Sequence, residues 1–391
     1  LQKTAEMLAE RLSESGLAAR AYHAGIPADE RAEIQDWFMN SDTAVVVATI
    51  AFGMGIDKSN IRAIYHYNAS KSIENYAQEI GRAGRDGQAA VCETLIVPED
   101  RIVLDNFAYG DTPTFRGLHK FVDLLSGQPE RFFISYYTLA YETDIRESVI
   151  RTLMTYLELD NWIAATSPRY EKYQFKPLLS STGIINHFSG ERRSFAASVL
   201  ALTVKKKIWC EINLPQAADR LKCDRERIVR MLDYFAEQGW MELKVSGLVH
   251  GYRMLKNIRA DDDLTKKLHQ YVLERENGEL ARLNELFDLY QSSRCQSAVL
   301  SNHFGQDIRI ECRHCSVCEG KIVRADLHPR PSGVGDAALS RLQELNLEHP
   351  EALGELRQQA RFLCGLSSPK LFRARLTRDP HFGCCSSIPF D

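Results

Sequence analysis

Two arginines three residues apart, Arg82 and Arg85, sit in the stretch "YAQEIGRAGRDG". A G-R-x-G-R turn after a buried strand places two guanidinium groups where the backbone can also approach a ligand. Arginine keeps its charge and grips phosphate through a planar fork, so such a pair suits the γ-phosphate of a nucleotide. The plain alternative is a salt-bridged surface loop. The segment "VVVATIAFGMGIDKSNI" favours the nucleotide: a β-branched strand ends in Thr49 and passes through a glycine-rich loop to Asp57. Ligands of α/β domains bind beyond the carboxyl ends of strands, and these two loops follow successive strand ends. They are expected to be neighbours.

A second cluster is metal-like. Cys295, Cys312, Cys315 and Cys318 have the spacing C-x16-C-x2-C-x2-C. Zn²⁺ takes four N or S ligands in a tetrahedron, and four thiolates close the shell, so the site is expected to be structural. Chance clustering of small buried residues accounts poorly for three cysteines within seven positions. His314 lies inside the knuckle and is read as a surface residue. Cys92, Cys210, Cys223 and Cys364 are expected in the core, and adjacent Cys384 and Cys385 have no assigned role.

The elements that must position these groups follow from patterning. Residues 1–110 alternate helix and strand signals: helices from Gln2 and near Asp29, which can cap the second, with strands at "ARAY", "AVVVATI", "IRAIYHYN" and "CETLIV". The uninterrupted run Ala44 to Ile50 is expected to be buried on both faces. Such alternation implies a parallel sheet covered by helices. Beyond residue 111, Asp144 precedes Glu147 by three positions in a capping-box pattern, and "WIAATSPRYEKYQFKPL" reads as a hairpin. Residues 194–255 repeat the plan, with a helix, a turn at Cys223-Asp224, a second helix and a hairpin around Gly247. This is a winged helix-turn-helix pattern, with Arg225, Arg227 and Arg230 as phosphate or groove contacts or else a solvated helix face. A long helix from Asp261 to Gln291 leads to the cysteines, and "HPRPSGVG" reads as a linker.

With 391 residues the chain is too long for one core, and 44% hydrophobic with 26% charged residues is a soluble globular composition. No apolar run approaches a membrane span, so no membrane partner is expected. A net charge of −3 argues against a surface that tracks nucleic acid everywhere but leaves room for local basic patches. Ten cysteines without a secretory signal point to a reducing compartment, the bacterial cytoplasm and its nucleoid or a eukaryotic nucleus. The chain opens in mid-helix without Met, which reads as a fragment of a longer protein.

From Ala21 to Gly87 the sequence closely resembles the second motor domain of RecQ-family DNA helicases of superfamily 2. "ATIAFGMGID" is similar to motif V and "QEIGRAGR" to motif VI, and the cysteine spacing is similar to that family's zinc motif. The resemblance implies that Arg82 and Arg85 act as arginine fingers on ATP and that Gln78 links ATP to the DNA side. It implies nucleotide-facing Gly55, Asp57 and Gly81, and DNA contacts by Thr49 and His23. The segments "RESVIRTLMTYLELDNWI" and "ARFLCGLSSPKLFRARLTRDPHFG" are more like the Rothmund–Thomson-type branch. The expected architecture is multidomain: an α/β RecA-like domain over 1–110, winged-helix (α+β) units over 111–193 and 194–258, a helical zinc-binding module over 259–325, and a linker with a small C-terminal helical region over 326–391.

Two departures matter. The chain has no G-x-x-x-x-G-K-[ST] loop and no D-E-x-H box, so the ATP and Mg²⁺ cradle belongs to a lobe that would precede Leu1, and this part alone should be inactive. About 180 residues also separate the motor from the cysteines, where the family places zinc directly after it. The expected function is the C-terminal part of an ATP-dependent 3′-to-5′ DNA helicase acting in replication, recombination or repair on single-stranded and fork or duplex DNA. The rivals are a non-enzymatic, zinc-stapled winged-helix DNA-binding protein and an RNA helicase. Tyr252 or His250 would be candidates at a strand-separating hairpin, although packing is the ordinary role for such rings. Lys370, Arg373, Arg375 and Arg378, beyond Pro331, could touch DNA or simply face solvent. Protein partners are unknown.

Overall fold

The computed structural model describes residues 2–53, 55–259, 262–321 and 333–390. Its first region alternates α1 (Gln2–Glu14), β1 (Ala19–Tyr22), α2 (Ala28–Met39), β2 (Val45–Ala48), β3 (Ala63–His66), α3 (Ile73–Ile80), β4 (Val91–Thr94) and α4 (Pro98–Asp111). All strand pairs are parallel, with Ala19 opposite Val45 and Ala63 opposite Val91. Helix α1 turns Ala5 and Ala9 inward at the i, i+4 spacing of one helical face. The expected double burial of the second strand does not hold. Val45–Val47 are half-buried and Ile50 is exposed, because β1 is the only strand bonded to β2 among the described residues. Pro27, not Asp29, occupies the cap of α2, and Asp29 lies in its first turn, where its charge favours the helix dipole.

Next come α5 (Phe115–Ser126), β5 (Arg131–Ile134), α6 (Tyr136–Thr143), α7 (Glu147–Leu159) and β6 (Ile163–Pro177). After α8 (Ser181–Asn186) the same order returns as α9 (Gly190–Ala201), β7 (Val204–Lys205), β8 (Cys210–Asn213), α10 (Leu214–Leu221), α11 (Arg225–Glu237) and β9 (Met241–Met254). Each set has its own apolar core. Their strands nevertheless form one antiparallel sheet, in the order β5-β9-β6-β8-β7. The two expected hairpins are absent. Strands β6 and β9 run against each other from Ile163–Met254 to Pro177–Met241, and each set's short strand bonds the long strand of the other. Ser167-Pro168 is absorbed as a bulge between Thr166 and Arg169, and Gly247 takes φ +71° within β9 instead of turning the chain back. Tyr252 and His250 therefore tip no hairpin: the Tyr252 hydroxyl bonds that of Tyr136, and His250 stacks on the Tyr136 ring at 3.9 Å. The expected boundary at 193/194 falls inside α9.

Helix α12 (Asp262–Gln291) joins the regions. Leu264, Leu268 and Val272 complete the core of the first set, while Leu286 and Leu289 bury against Ile73 of α3. After α13 (Gln296–His303), the C-terminal region comprises α14 (Asp336–Glu348), α15 (Pro350–Leu353), α16 (Leu356–Leu363), α17 (Pro369–Arg373) and a 3₁₀ turn at Leu376–Arg378. Residues 328–332 of the expected linker, Pro331 included, and its boundary at 325/326 lie outside the described residues. No described helix is long and apolar enough to cross a membrane.

Asp144 holds the C-terminal region in place and does not cap α7. It ends α6 at φ +59°, buried, and its carboxylate accepts from Gln358 Nε2 at 3.0 Å and the Lys370 backbone N–H at 2.8 Å. Nearby, buried Arg361 donates to the carbonyls of Gly110 and Thr112, and burial together with Arg357 pushes its pKa down to about 10. Asp144→Ala leaves one buried and one part-buried donor unpaired, so it is expected to cost about 3 kcal/mol in urea unfolding. A loss below about 0.5 kcal/mol would contradict this role, since that is the range of ordinary surface changes.

Candidate nucleotide edge and metal centre

The arginine turn and the glycine-rich loop meet. Helix α3 starts at Ser72, whose hydroxyl accepts from the Asn75 N–H, and runs into Gly81. Arg82 then donates through Nη1 to the Gly53 carbonyl. A Cβ at Gly53 would come within 3.0 Å of the Arg82 Nη2, so glycine permits that approach. Arg85 reaches the same loop, with Nη1 3.0 Å from Asp57 Oδ1 and 3.4 Å from the Ile56 carbonyl. Gly84, at φ +62°, makes the turn between them, and a Cβ there would meet the Gln88 carbonyl at 2.8 Å. The side chain of Asp57 is 92% exposed and that of Arg85 39%, so their pair is solvent-screened and an incoming anion can replace it.

Gln78, Gly81 and Gly55 are exposed along this edge, Gly55 at φ +91°. Thr49 is half-buried just past β2, with its N–H bonded to the Tyr22 carbonyl at 3.1 Å. His23 departs from expectation. It is 4% exposed, with Nε2 2.9 Å from Glu6 and Nδ1 accepting the Gly25 N–H at 3.2 Å, so neither nitrogen is offered to a ligand. Its role is to shape the turn after β1. Sequence reasoning missed Glu79, which accepts from His66 Nε2 at 2.8 Å and Ser70 Oγ at 2.7 Å. Burial raises its pKa, but these hydrogen bonds outweigh that and hold it below the usual carboxylate range. Its only sequence signal was a position inside the Gln-Glu-Ile-Gly-Arg run.

On α11, Arg225 donates to the Tyr170 carbonyl and lies 5.6 Å over the Tyr173 ring. Arg227 pairs with Glu191 at 2.6 Å and covers Phe195 at 4.2 Å. These two guanidinium groups are committed within the fold because β6 and α9 pack beside the helix. Arg230 is exposed, with only the Glu226 carbonyl at 3.4 Å. At the C-terminus, Lys370 pairs with Glu351 at 2.9 Å, while Arg373, Arg375 and Arg378 are exposed.

The sulfurs of Cys295, Cys312, Cys315 and Cys318 all lie within 4.8 Å of one another. Sulfurs around tetrahedral zinc stand about 3.8 Å apart, so the set fits that ion with modest tightening. Backbone N–H groups already point at the sulfurs, Cys312 N to Cys295 Sγ and Cys315 N to Cys312 Sγ, both at 3.3 Å. His314 is exposed and outside the set. Of the others, Cys210 and Cys364 are buried, Cys92 and Cys223 half-buried, and Cys384 and Cys385 have sulfurs 3.7 Å apart. Cys295 heads α13, whose Val299 and Leu300 pack with Tyr290 and Tyr76 against α3. His303 closes the contact, 2.9 Å from Glu74. The four-cysteine cluster thus packs, through α13, on the helix that leads into the arginine turn, although about 210 residues separate Arg85 from Cys295 in sequence.

Residues 1–87 match the helicase conserved C-terminal domain. ATP-dependent DNA helicase Q-like 5 of Arabidopsis thaliana is 26% identical over 312 residues, 77% of this chain and 33% of that protein. ATP-dependent DNA helicase RecQ of Bacillus subtilis is 49% identical over 102 residues, 26% of this chain and 17% of its own length. ATP-dependent DNA helicase Q4 of Homo sapiens is 43% identical over 106 residues, 27% of this chain and 9% of its own. The chain spans about a third of the plant relative's length and less of the other two.

Proposed function

We propose that this chain, which carries the C-terminal region of a RecQ-family superfamily 2 helicase, serves an ATP-dependent 3′-to-5′ DNA helicase as its second motor lobe and duplex-engaging region. The observation that carries the reading is the convergence of Arg82 and Arg85 on the Gly53–Asp57 loop at one open edge. A triphosphate held by a facing lobe would take Arg85 from Asp57, and its guanidinium would neutralise charge developing on the γ-phosphate. Gln78 is exposed one helical turn before Arg82 and would link the nucleotide to the DNA side. Thr49 and the neighbouring backbone N–H groups would hold one strand by its phosphates, which carries no sequence preference. The α6–α7 and α10–α11 pairs are read as winged-helix-type units for duplex DNA, with Arg230 as the free contact of the second. Zinc, when bound, supplies a closed four-thiolate staple and no chemistry of its own.

A non-enzymatic regulator would leave the arginine edge without a purpose. The test is ATP hydrolysis by the full-length protein with single-stranded DNA or RNA of equal length. DNA is expected to stimulate turnover at least tenfold more than RNA. Equal stimulation would favour an RNA helicase, and none by either would defeat the motor reading.

A further inference from the structure

One face of the five-stranded sheet carries charge that the fold leaves uncompensated. On β5, Phe132 and Ile134 fill the core, so Arg131 and Phe133 project to the other, exposed side. Arg131 lies directly opposite Arg253 of β9, and Phe133 opposite Gly251. Like charges facing each other across an antiparallel pair destabilise it, so this placement calls for a compensating ligand. A third guanidinium, Arg169, lies 3.5 Å from the Phe133 ring centroid, brought there by the bulge that follows Thr166.

Arg169 is held under strain of charge as well. Its Nε is shielded from solvent with no hydrogen-bond partner. Burial, and then the Arg225 charge, push its pKa down, only partly offset by the weaker pull of Glu171 and Glu226. Among the described residues no ion pair joins Arg131, Arg169 or Arg253 to a carboxylate. Gly251 lets Phe133 and Thr166 close over the strand: a Cβ there would fall 2.4 Å from Thr166 Oγ1 and 3.0 Å from the Phe133 ring.

We propose that this face binds single-stranded DNA, with a base stacked on the Arg169 plane that Phe133 supports and the flanking phosphates held by Arg131 and Arg253. Arginine planes and aromatic rings accept any base face, and paired cations track the backbone. A duplex, whose bases are stacked away, would use only the two cations. The proposal rests on the DNA reading above but not on the arginine edge, and its site is separate from the motor.

The test is fluorescence anisotropy of a labelled oligothymidylate with this chain, over a range of salt. Arg131→Ala with Arg253→Ala should weaken binding at least tenfold and flatten the salt slope by about 1.4, the share of two phosphates on a single strand. Phe133→Ala should weaken the single strand several-fold and leave a blunt duplex nearly unchanged. Arg253→Glu guards against misfolding. It replaces repulsion by a cross-strand ion pair, so its melting temperature should rise while oligothymidylate binding falls. Unchanged binding in the double variant, or equal losses for single strand and duplex in Phe133→Ala, would overturn the proposal. Neither result would touch ATP hydrolysis by the full-length protein, which tests the motor on its own.

Discussion

Arg85→Ala in the full-length protein is expected to lower DNA-stimulated ATP hydrolysis by about 10³–10⁵-fold, the range for loss of an arginine finger. On the motor reading proposed above, ATP affinity should change only a few-fold, because a facing lobe with the phosphate cradle would still hold the nucleotide. The structure makes the test clean. Arg85 is partly exposed and its partner Asp57 almost wholly so, and such pairs contribute about 0–1 kcal/mol to stability. A large kinetic loss with an unchanged melting temperature would therefore report chemistry rather than folding. Arg85→Lys should recover little, since an ammonium lacks the planar fork. Arg82→Ala is less diagnostic, because Arg82 also ties down the Gly53 carbonyl. A turnover within tenfold of the parent protein for Arg85→Ala would remove the role assigned to it.

Cys315→Ser is expected to release the metal and loosen a helix far from the sulfur. Structural zinc contributes about 10–16 kcal/mol to the folding of small four-ligand modules, and three thiolates hold it much less well. The cluster closes the segment that begins at Cys295, and α13 presses Val299 and Leu300 toward Tyr76 of α3. Hydrogen exchange should therefore rise in α13 and α3 together, with zinc content by elemental analysis falling from one ion per chain to near none. ATP turnover of the full-length protein should fall as well, although no cysteine of the set approaches the nucleotide edge. A metal-free variant that keeps exchange protection in both helices would show that zinc braces nothing.

Much of the site was legible because its chemistry is local. The C-x2-C-x2-C spacing puts three thiolates around one point whatever surrounds them, and the structure gathers them with Cys295. Glycines at the arginine turn and the strand-end loop announce close approach of backbone, and Gly53 and Gly84 have that use. Rules for single elements failed where a distant segment supplied a better partner. Asp144 matched a capping pattern, yet its carboxylate went to Gln358 and Lys370. His23 lay in the most recognisable segment, but Glu6 and the Gly25 N–H took both nitrogens.

By itself the sequence determined the parallel α/β character of the first region, the helix order of the two sets that follow and the four cysteines that gather at one point, since helix and strand patterns and the C-x2-C-x2-C step are written in short stretches of chain. Tertiary structure alone decided that two apparent hairpins are one exchanged ribbon. Hydrogen bonding between strands is indifferent to sequence distance, so Ile163 finds Met254 as readily as any neighbour. It also decided which arginines stay free. A guanidinium is claimed by whichever carbonyl or carboxylate the packing brings within reach, as Tyr170 and Glu191 claim Arg225 and Arg227, and no spacing along the chain records that competition.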